Sequence, residues 1–331
     1  MMRALLTAAT ALALATPALA DDKTLCVYDP SGANGDIFNL TKDYRTEAIA
    51  WGVTFELKPY TDEKTASEDF KAKKCDAVLM TGTRGRDFLK FAGTLEAMGA
   101  LPEYNGLKTV VQKLGSPKAA GLMRSGDYET AAIFPGGAVY LMVRDKAVDT
   151  VPELAGRKLA TLDFDEAAKI MVKIVGAALV PADVSSFASM FNNGSVEAAY
   201  APATAYKALE LYKGIGDAGG VIRYPLAQMT LQLMIRHAEF PADFGTKSRA
   251  FAAKNFGKFL SVVQKADKSV PAKHWIDIPA EDKAKYDQMF QDVRVRLRDQ
   301  EKVYDGRALK LMRKVRCQAD AARAECAQQR E

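Results

Sequence analysis

The sequence predicts an α/β protein of two doubly wound lobes joined by a hinge, with C-terminal helices packing back across both. Three observations carry that prediction. Strand-like and helix-like segments alternate over residues 24–82 and again from near Gly136, as in parallel sheets flanked by helices. Residues 245–329 read as helical. About 310 residues remain once the first 20 are set aside, enough for two lobes and a sizeable core.

Those first residues run Met1-Met2-Arg3, an apolar stretch from Ala4 to Ala15, then Thr16-Pro17-Ala18-Leu19-Ala20. A charged start, a short apolar core and an Ala-x-Ala-like end describe a cleavable secretory signal, cut near Ala20. The apolar stretch is shorter than the ~20 residues a spanning helix needs. No cysteine at the cut is available for a lipid anchor.

The first lobe is expected over residues 21–135. Leu25-Cys26-Val27-Tyr28 is its first strand, and Ile37 to Trp51 has helical periodicity behind a Gly-rich turn. Val53 to Leu57 alternates as a second strand, Glu63 to Lys73 is a second helix, and Asp76 to Met80 is a buried third strand. Ligands of such sheets bind beyond the carboxyl ends of the strands. Two loops qualify, Tyr28-Asp29-Pro30-Ser31-Gly32 and Thr81-Gly82-Thr83-Arg84-Gly85-Arg86. The second offers hydroxyls and two guanidiniums, which suits an anion. It is equally the composition of a tight corner. Gly32-Ala33-Asn34-Gly35 lacks the spacing and the Lys-Ser/Thr of a phosphate loop.

The second lobe is expected over 136–235. Its strands are Ala138–Val143, Lys158–Leu162 and Glu197–Ala201, followed by Val221–Tyr224 and Met229–Arg236. Asp165 to Leu179 reads as an amphipathic helix, Phe187 to Asn192 as a short one, and Pro202 opens a helix to Tyr212. Residues 236–331 form the return segment and terminal helices, with breaks at Pro271–Pro279 and near Gly306.

Charge is uneven. Residues 294–331 hold 11 Lys+Arg against 6 Asp+Glu, which leaves residues 21–293 near neutral. A basic helical end is either a docking face for an acidic partner or simply a solvated surface. Four cysteines in an exported chain suggest two disulfides. Cys26 and Cys75 sit on strands that neighbour each other in a 2-1-3 order, which favours their pairing. Cys317 and Cys326 would lie ~13.5 Å apart in one continuous helix, too far to bridge. Their pairing therefore requires the last helix to turn between them.

The second half resembles the extracytoplasmic solute-binding proteins of TRAP transporters. Leu154-Ala155-Gly156-Arg157-Lys158-Leu159-Ala160 matches that family's Leu-x-Gly-x-Lys-x-Arg handover between lobes. Met190-Phe191-Asn192-Asn193-Gly194-Ser195-Val196-Glu197-Ala198 occupies the place of its Gly-x-Val-Asp-Gly strand entry. Cys26-Val27-Tyr28-Asp29-Pro30 and Cys75 to Thr81 look like the narrower group of AdeT-like solute-binding proteins associated with RND efflux systems. The resemblance implies a bilobal periplasmic binding protein (type II-like), located in the periplasm, that captures a small solute and delivers it to membrane transporter subunits. One departure stands out: the family's clamp arginine for a ligand carboxylate is Ala160 here. Arg157, three residues away, points elsewhere. The fold is implied by the resemblance, whereas dicarboxylate specificity is not.

Candidate ligand-binding residues are Tyr28, Asp29, Thr83, Arg84 and Arg86 from the first lobe. Tyr140, Asp163, Asn192, Asn193, Tyr200 and Tyr206 come from the second, with Gln228 and Gln232 on the strand returning through the hinge. Aromatic walls with a few convergent polar groups make a small-molecule site. Tyr140 and Tyr206 also suit a core with satisfied hydroxyls, and Asn192-Asn193-Gly194 also suits a helix stop. The competing function is an accessory component of an RND-type efflux system. A true adaptor needs a long heptad hairpin, and no sustained heptad run precedes residue 280. Two histidines without ligand-spaced neighbours and no Gly-x-Ser-x-Gly element argue against an enzyme, a metal site or a cofactor. Export and a neutral body argue against nucleic acid as a partner.

Overall fold

A computed structural model describes residues 21–331; the expected signal segment, residues 1–20, lies outside the described residues. The first lobe is built on β1 (Asp21–Tyr28), β2 (Val53–Tyr60) and β3 (Ala77–Thr81). β1 pairs in parallel with both neighbours, giving the order 2-1-3. Two strands from later in the chain complete this sheet: β10 (Ala227–Arg236) lies antiparallel to β3, and β5 (Tyr128–Val143) lies antiparallel to β10. The second lobe continues from the far half of β5 through β8 (Ala198–Pro202), β6 (Lys158–Leu162) and β7 (Ala178–Ala182). Short strands β4 (Arg124–Ser125), β9 (Gly220–Ile222) and β11 (Trp275–Ile276) extend the edges.

The two expected sheets are thus continuous, and β5 belongs to both. The expected start of the second unit at Gly136 falls inside this strand. Pro135-Gly136-Gly137 is a bulge, with register shifting opposite Met229 and Thr230. A proline lacks the N–H that a central ladder needs, so it sits where the ladder is interrupted. Gly137 has φ +126°, and a Cβ on Gly136 would come within 2.8 Å of the Met229 side chain. Breaker residues here bend a strand and mark the crossover between lobes. β10, expected with the second lobe, lies in the sheet of the first.

Other boundaries shift for local reasons. The helix expected from Asp165 to Leu179 covers Glu166–Ile174, stops at Gly176 with φ +74°, and gives way to β7. Thr81–Arg86 is not an open loop: Gly82–Gly85 forms one helical turn, capped by the Thr81 hydroxyl.

Apolar clusters cover both faces of each half-sheet. Phe70, Phe91, Leu101 and Val111 fill one face of the first lobe, and Phe55, Tyr44, Phe134 and Phe244 the other. Full burial of each such side chain contributes about 1.5–3 kcal/mol. The helix Ala280–Asp299 crosses between lobes: Tyr286 and Phe290 join the second-lobe cluster, while Val293 and Leu297 join the first.

The basic C-terminal segment is not solvated throughout. Arg294, Arg313 and Arg316 are buried. Arg316 donates to Glu325 at 2.6 and 2.7 Å, to Glu331 at 2.5 Å and to the Ala100 carbonyl. Arg294 pairs with Glu331 and Glu325 and donates to the Met98 carbonyl. Buried guanidiniums persist only when paired in this way. Both disulfides form. Cys26–Cys75 joins β1 to the start of β3, with Cα atoms 5.9 Å apart. Cys317–Cys326 spans 5.6 Å because the helix Gly306–Ala319 ends at Asp320 and a new turn begins at Ala324.

Candidate functional site

The lobes enclose a cleft of about 370 Å³ with a mostly apolar wall. Its first-lobe side is organised by carboxylates. Asp29, at the end of β1, accepts from Ser31 N at 2.8 Å and from Phe38 N at 3.0 Å, holding the start of the helix Asp36–Ile49. Gly35 is required there, since a Cβ would lie 1.9 Å from the Asp29 carboxylate. Glu63 opens the next helix and accepts from Thr81 N at 2.6 Å. Glu96 accepts five hydrogen bonds of 2.6–2.8 Å, from Gly82 N, from Thr83 N and Oγ1, and from Thr230 N and Oγ1. It ties the Gly82–Gly85 turn to β10.

Burial pushes the carboxyls of Glu63 and Glu96 above their ordinary range, against the pull of their donors and of Arg84 and Arg86 respectively. Burial also raises the Tyr28 hydroxyl, reinforced by the nearby Glu63, Asp29 and Asp62 carboxylates.

The second-lobe side comes from the end of β6 and the helix after it. Asp165 caps that helix through Ala168 N at 3.2 Å. Phe164 and Asp165 meet the first lobe directly. The Arg84 guanidinium lies 3.4 Å from the centre of the Phe164 ring, a stacked cation–π contact. Arg86 Nη1 lies 3.7 Å from Asp165 Oδ1, and its Nη2 donates to the Gly93 carbonyl at 3.3 Å. Arg84 Nε is 3.7 Å from Glu63. The Nε atoms of both arginines are buried without a hydrogen-bond partner among the described residues. Tyr200 on β8 accepts from Leu162 N at 3.1 Å and lines the cleft, its hydroxyl raised well above the usual range by burial.

The candidates from sequence divide cleanly. Tyr28, Asp29, Thr83, Arg86 and Tyr200 line the cleft, and Arg84 stands behind Phe164. Seven others lie outside the wall. Tyr140 packs edge-on against Trp275. Tyr206 is hydrogen-bonded to His274 Nδ1 at 2.7 Å, and burial holds that imidazole below its usual range. Asn192 accepts from Gly214 N and donates to the Leu209 carbonyl, and the helix it belongs to stops at left-handed Gly194. Asn193, its neighbour, caps Ser195. Gln232 donates to the Ala92 carbonyl and Thr230, and Gln228 is buried within β10. Asp163 is exposed, and Asp165 two residues on faces the cleft instead.

Sequence reasoning also passed over Glu63, Glu96 and Phe164. Glu96 carried a readable signal: it is the one acidic residue in the apolar stretch Phe91–Met98. Ala160 is 3 % exposed among Tyr140, Phe187 and Ala201, and no lysine or arginine of the second lobe lines the cleft.

Two lobes that share a strand and enclose an apolar cleft make the architecture of a small-molecule binding protein. The chain belongs to the family of solute-binding proteins AdeT 1/2, whose profile matches residues 48–331. It is 38 % identical over 301 residues to the "Probable solute-binding protein AdeT1" of Acinetobacter baumannii, covering 91 % of this chain and 99 % of the relative. AdeT2 of the same organism is 26 % identical, covering 71 % of this chain and 98 % of the relative. The fold matches a TRAP periplasmic solute-binding protein from Rhodoferax ferrireducens with bound malonate. The TM-score is 0.71 at 15 % identity, over 89 % of this chain and 98 % of that one. A second match is the Roseobacter denitrificans protein with bound 3-deoxy-D-manno-oct-2-ulosonic acid. Its TM-score is 0.70 at 14 % identity, over 89 % and 100 % of the two chains.

Proposed function

We propose that the protein, exported and cut near Ala20, binds a small solute between its lobes without turning it over and hands it to membrane transport subunits. The observation that carries the reading is the enclosed cleft at the lobe crossover, lined by Pro135 and Gly136 of the bulge and walled by both lobes. Tyr28, Asp29, Thr83, Arg86 and Tyr200 are its proposed contacts, with Arg84 positioned through Phe164.

The solute is not a dicarboxylate of the kind a clamp arginine would hold. Ala160 supplies no charge, and the one guanidinium in the wall, Arg86, already faces Asp165. A ligand that binds the folded state alone stabilises it by about 2.7 kcal/mol at a hundredfold excess over Kd. The mature protein, screened by thermal shift against a broad metabolite library, should therefore show a ligand-dependent rise in Tm. A well-folded protein with no stabiliser, and no small molecule retained in native mass spectrometry, would refute this reading.

A further inference from the structure

The proposal that follows rests on the cleft being the solute site. We propose that its solute is an organic cation, a protonated amine carried on an apolar aliphatic or aromatic body. The wall holds six carboxylates, those of Asp29, Asp36, Glu63, Glu96, Asp149 and Asp165, against the single guanidinium of Arg86. Arg84, just behind the wall, is the second cation in reach.

Both guanidiniums are already committed. Arg86 stands 3.7 Å from Asp165 and donates to the Gly93 carbonyl, and Arg84 lies on Phe164 and 3.7 Å from Glu63. Once those two pairs are set aside, Asp29, Asp36 and Asp149 form no ion pair among the described residues, and Glu96 has only the already committed Arg86 nearby. A carboxylate solute would enter a space whose uncompensated charge has its own sign, in surroundings where screening is weak. An ammonium would relieve that imbalance.

A second observation is independent of the charge count. Tyr28 lines the cleft with only 6 % of its surface exposed. Its hydroxyl makes no hydrogen bond to another described residue and stays open to the cleft. Beside Glu63, that oxygen is an acceptor for an N–H from the solute, and Tyr28 and Tyr200 put aromatic side chains in the same wall. The apolar remainder of the wall suits the body of the molecule, and the volume of about 370 Å³ limits its size.

The test is titration calorimetry on the mature protein at pH 7.5 with 4-phenylbutylamine and n-octylamine, and with the carboxylate and alcohol of each skeleton. At least one amine should bind tenfold or more tightly than its matched carboxylate and alcohol. Tyr28→Phe removes only the unpartnered hydroxyl and should lower amine affinity at least fivefold with an unchanged Tm. Glu63→Gln, which leaves Arg84 uncompensated, should cut the amine-over-carboxylate preference at least tenfold. Failure of both amines to bind, or a carboxylate or alcohol binding as well as its amine, overturns the inference. Binding of a carboxylate or alcohol would still support solute capture, which falls only if the broad screen is also blank.

Discussion

Glu96→Gln tests how the first-lobe wall is held. Glu96 Oε1 accepts from Gly82 N, Thr230 N and Thr230 Oγ1, and Oε2 accepts from Thr83 N and Oγ1. An amide presents one oxygen and one NH₂. With the NH₂ toward Thr83, the Thr83 hydroxyl can rotate to accept, but the Thr83 N–H faces another donor. One orphaned buried donor costs about 1–3 kcal/mol, and losing the charged acceptor weakens the remaining bonds, giving about 2–4 kcal/mol in total. Glu96→Ala strands three backbone N–H groups and should cost about 5 kcal/mol or more. At about 2.1 cal/mol/K per residue, the described chain of residues 21–331 has an unfolding entropy near 0.65 kcal/mol/K. Glu96→Gln should then lower Tm by about 3–6 °C and Glu96→Ala by about 8 °C. Calorimetry on the mature, oxidised protein measures both. Hydrogen exchange at the amides of Gly82, Thr83 and Thr230 should accelerate in step, and affinity for any cleft ligand should fall. A Glu96→Gln protein melting within 1 °C of the parent, with unchanged exchange at those amides, would refute the role given to Glu96.

Two further outcomes concern stability. Removing Cys26–Cys75 as a double alanine variant opens a link of sequence separation 49 and should cost about 4 kcal/mol. The separation of 9 at Cys317–Cys326 predicts about 2.6 kcal/mol on the same loop-entropy relation. Paired melting curves should show the first variant the less stable, and the reverse order would contradict the relation. Burial pushes Glu325 up, but the Arg316, Arg323 and Arg294 guanidiniums overcome it and bring its pKa down to about 2 from 4.5. A depressed folded value means stability that is full above pH 4.5 and lost as pH falls through about 2, at most about 3 kcal/mol. The Tm gap between parent and Glu325→Gln should therefore be widest at neutral pH and shrink between pH 4.5 and 2.

Much of the frame was legible because alternation reports it directly. β1, β2 and β3, their helices, and the Cys26–Cys75 pairing follow from period and neighbour order. The first half of β5 was not legible, because Pro135-Gly136-Gly137 has the chemistry of a boundary and only the tertiary pairing with Met229 and Thr230 reveals a bulge. The cleft was half legible. Strand ends led to Tyr28, Thr83 and Arg86, but no local pattern tells that Arg84 and Arg86 meet Glu63, Phe164 and Asp165, which lie far away in sequence. Tyr140 and Tyr206 have the right composition for a wall, and packing on Trp275 and His274 claims them. The basic C-terminus was only partly legible for the same reason. Its partners Glu325 and Glu331 arrive by chain reversal, which charge counting does not register.

The strand β10 has a consequence for how the molecule comes into being. A chain is synthesised from its N-terminus, and β1, β2 and β3 are available early. The strand that pairs with β3 follows about 150 residues later, after the whole second lobe. Until then the inner edge of β3, with Val78, Leu79 and Met80 beside it, is an unpaired apolar template for other chains. Neither lobe can finish alone, so they should melt in a single transition and fold slowly for their size. The nascent protein would depend on a holding chaperone until residue 236 has been made.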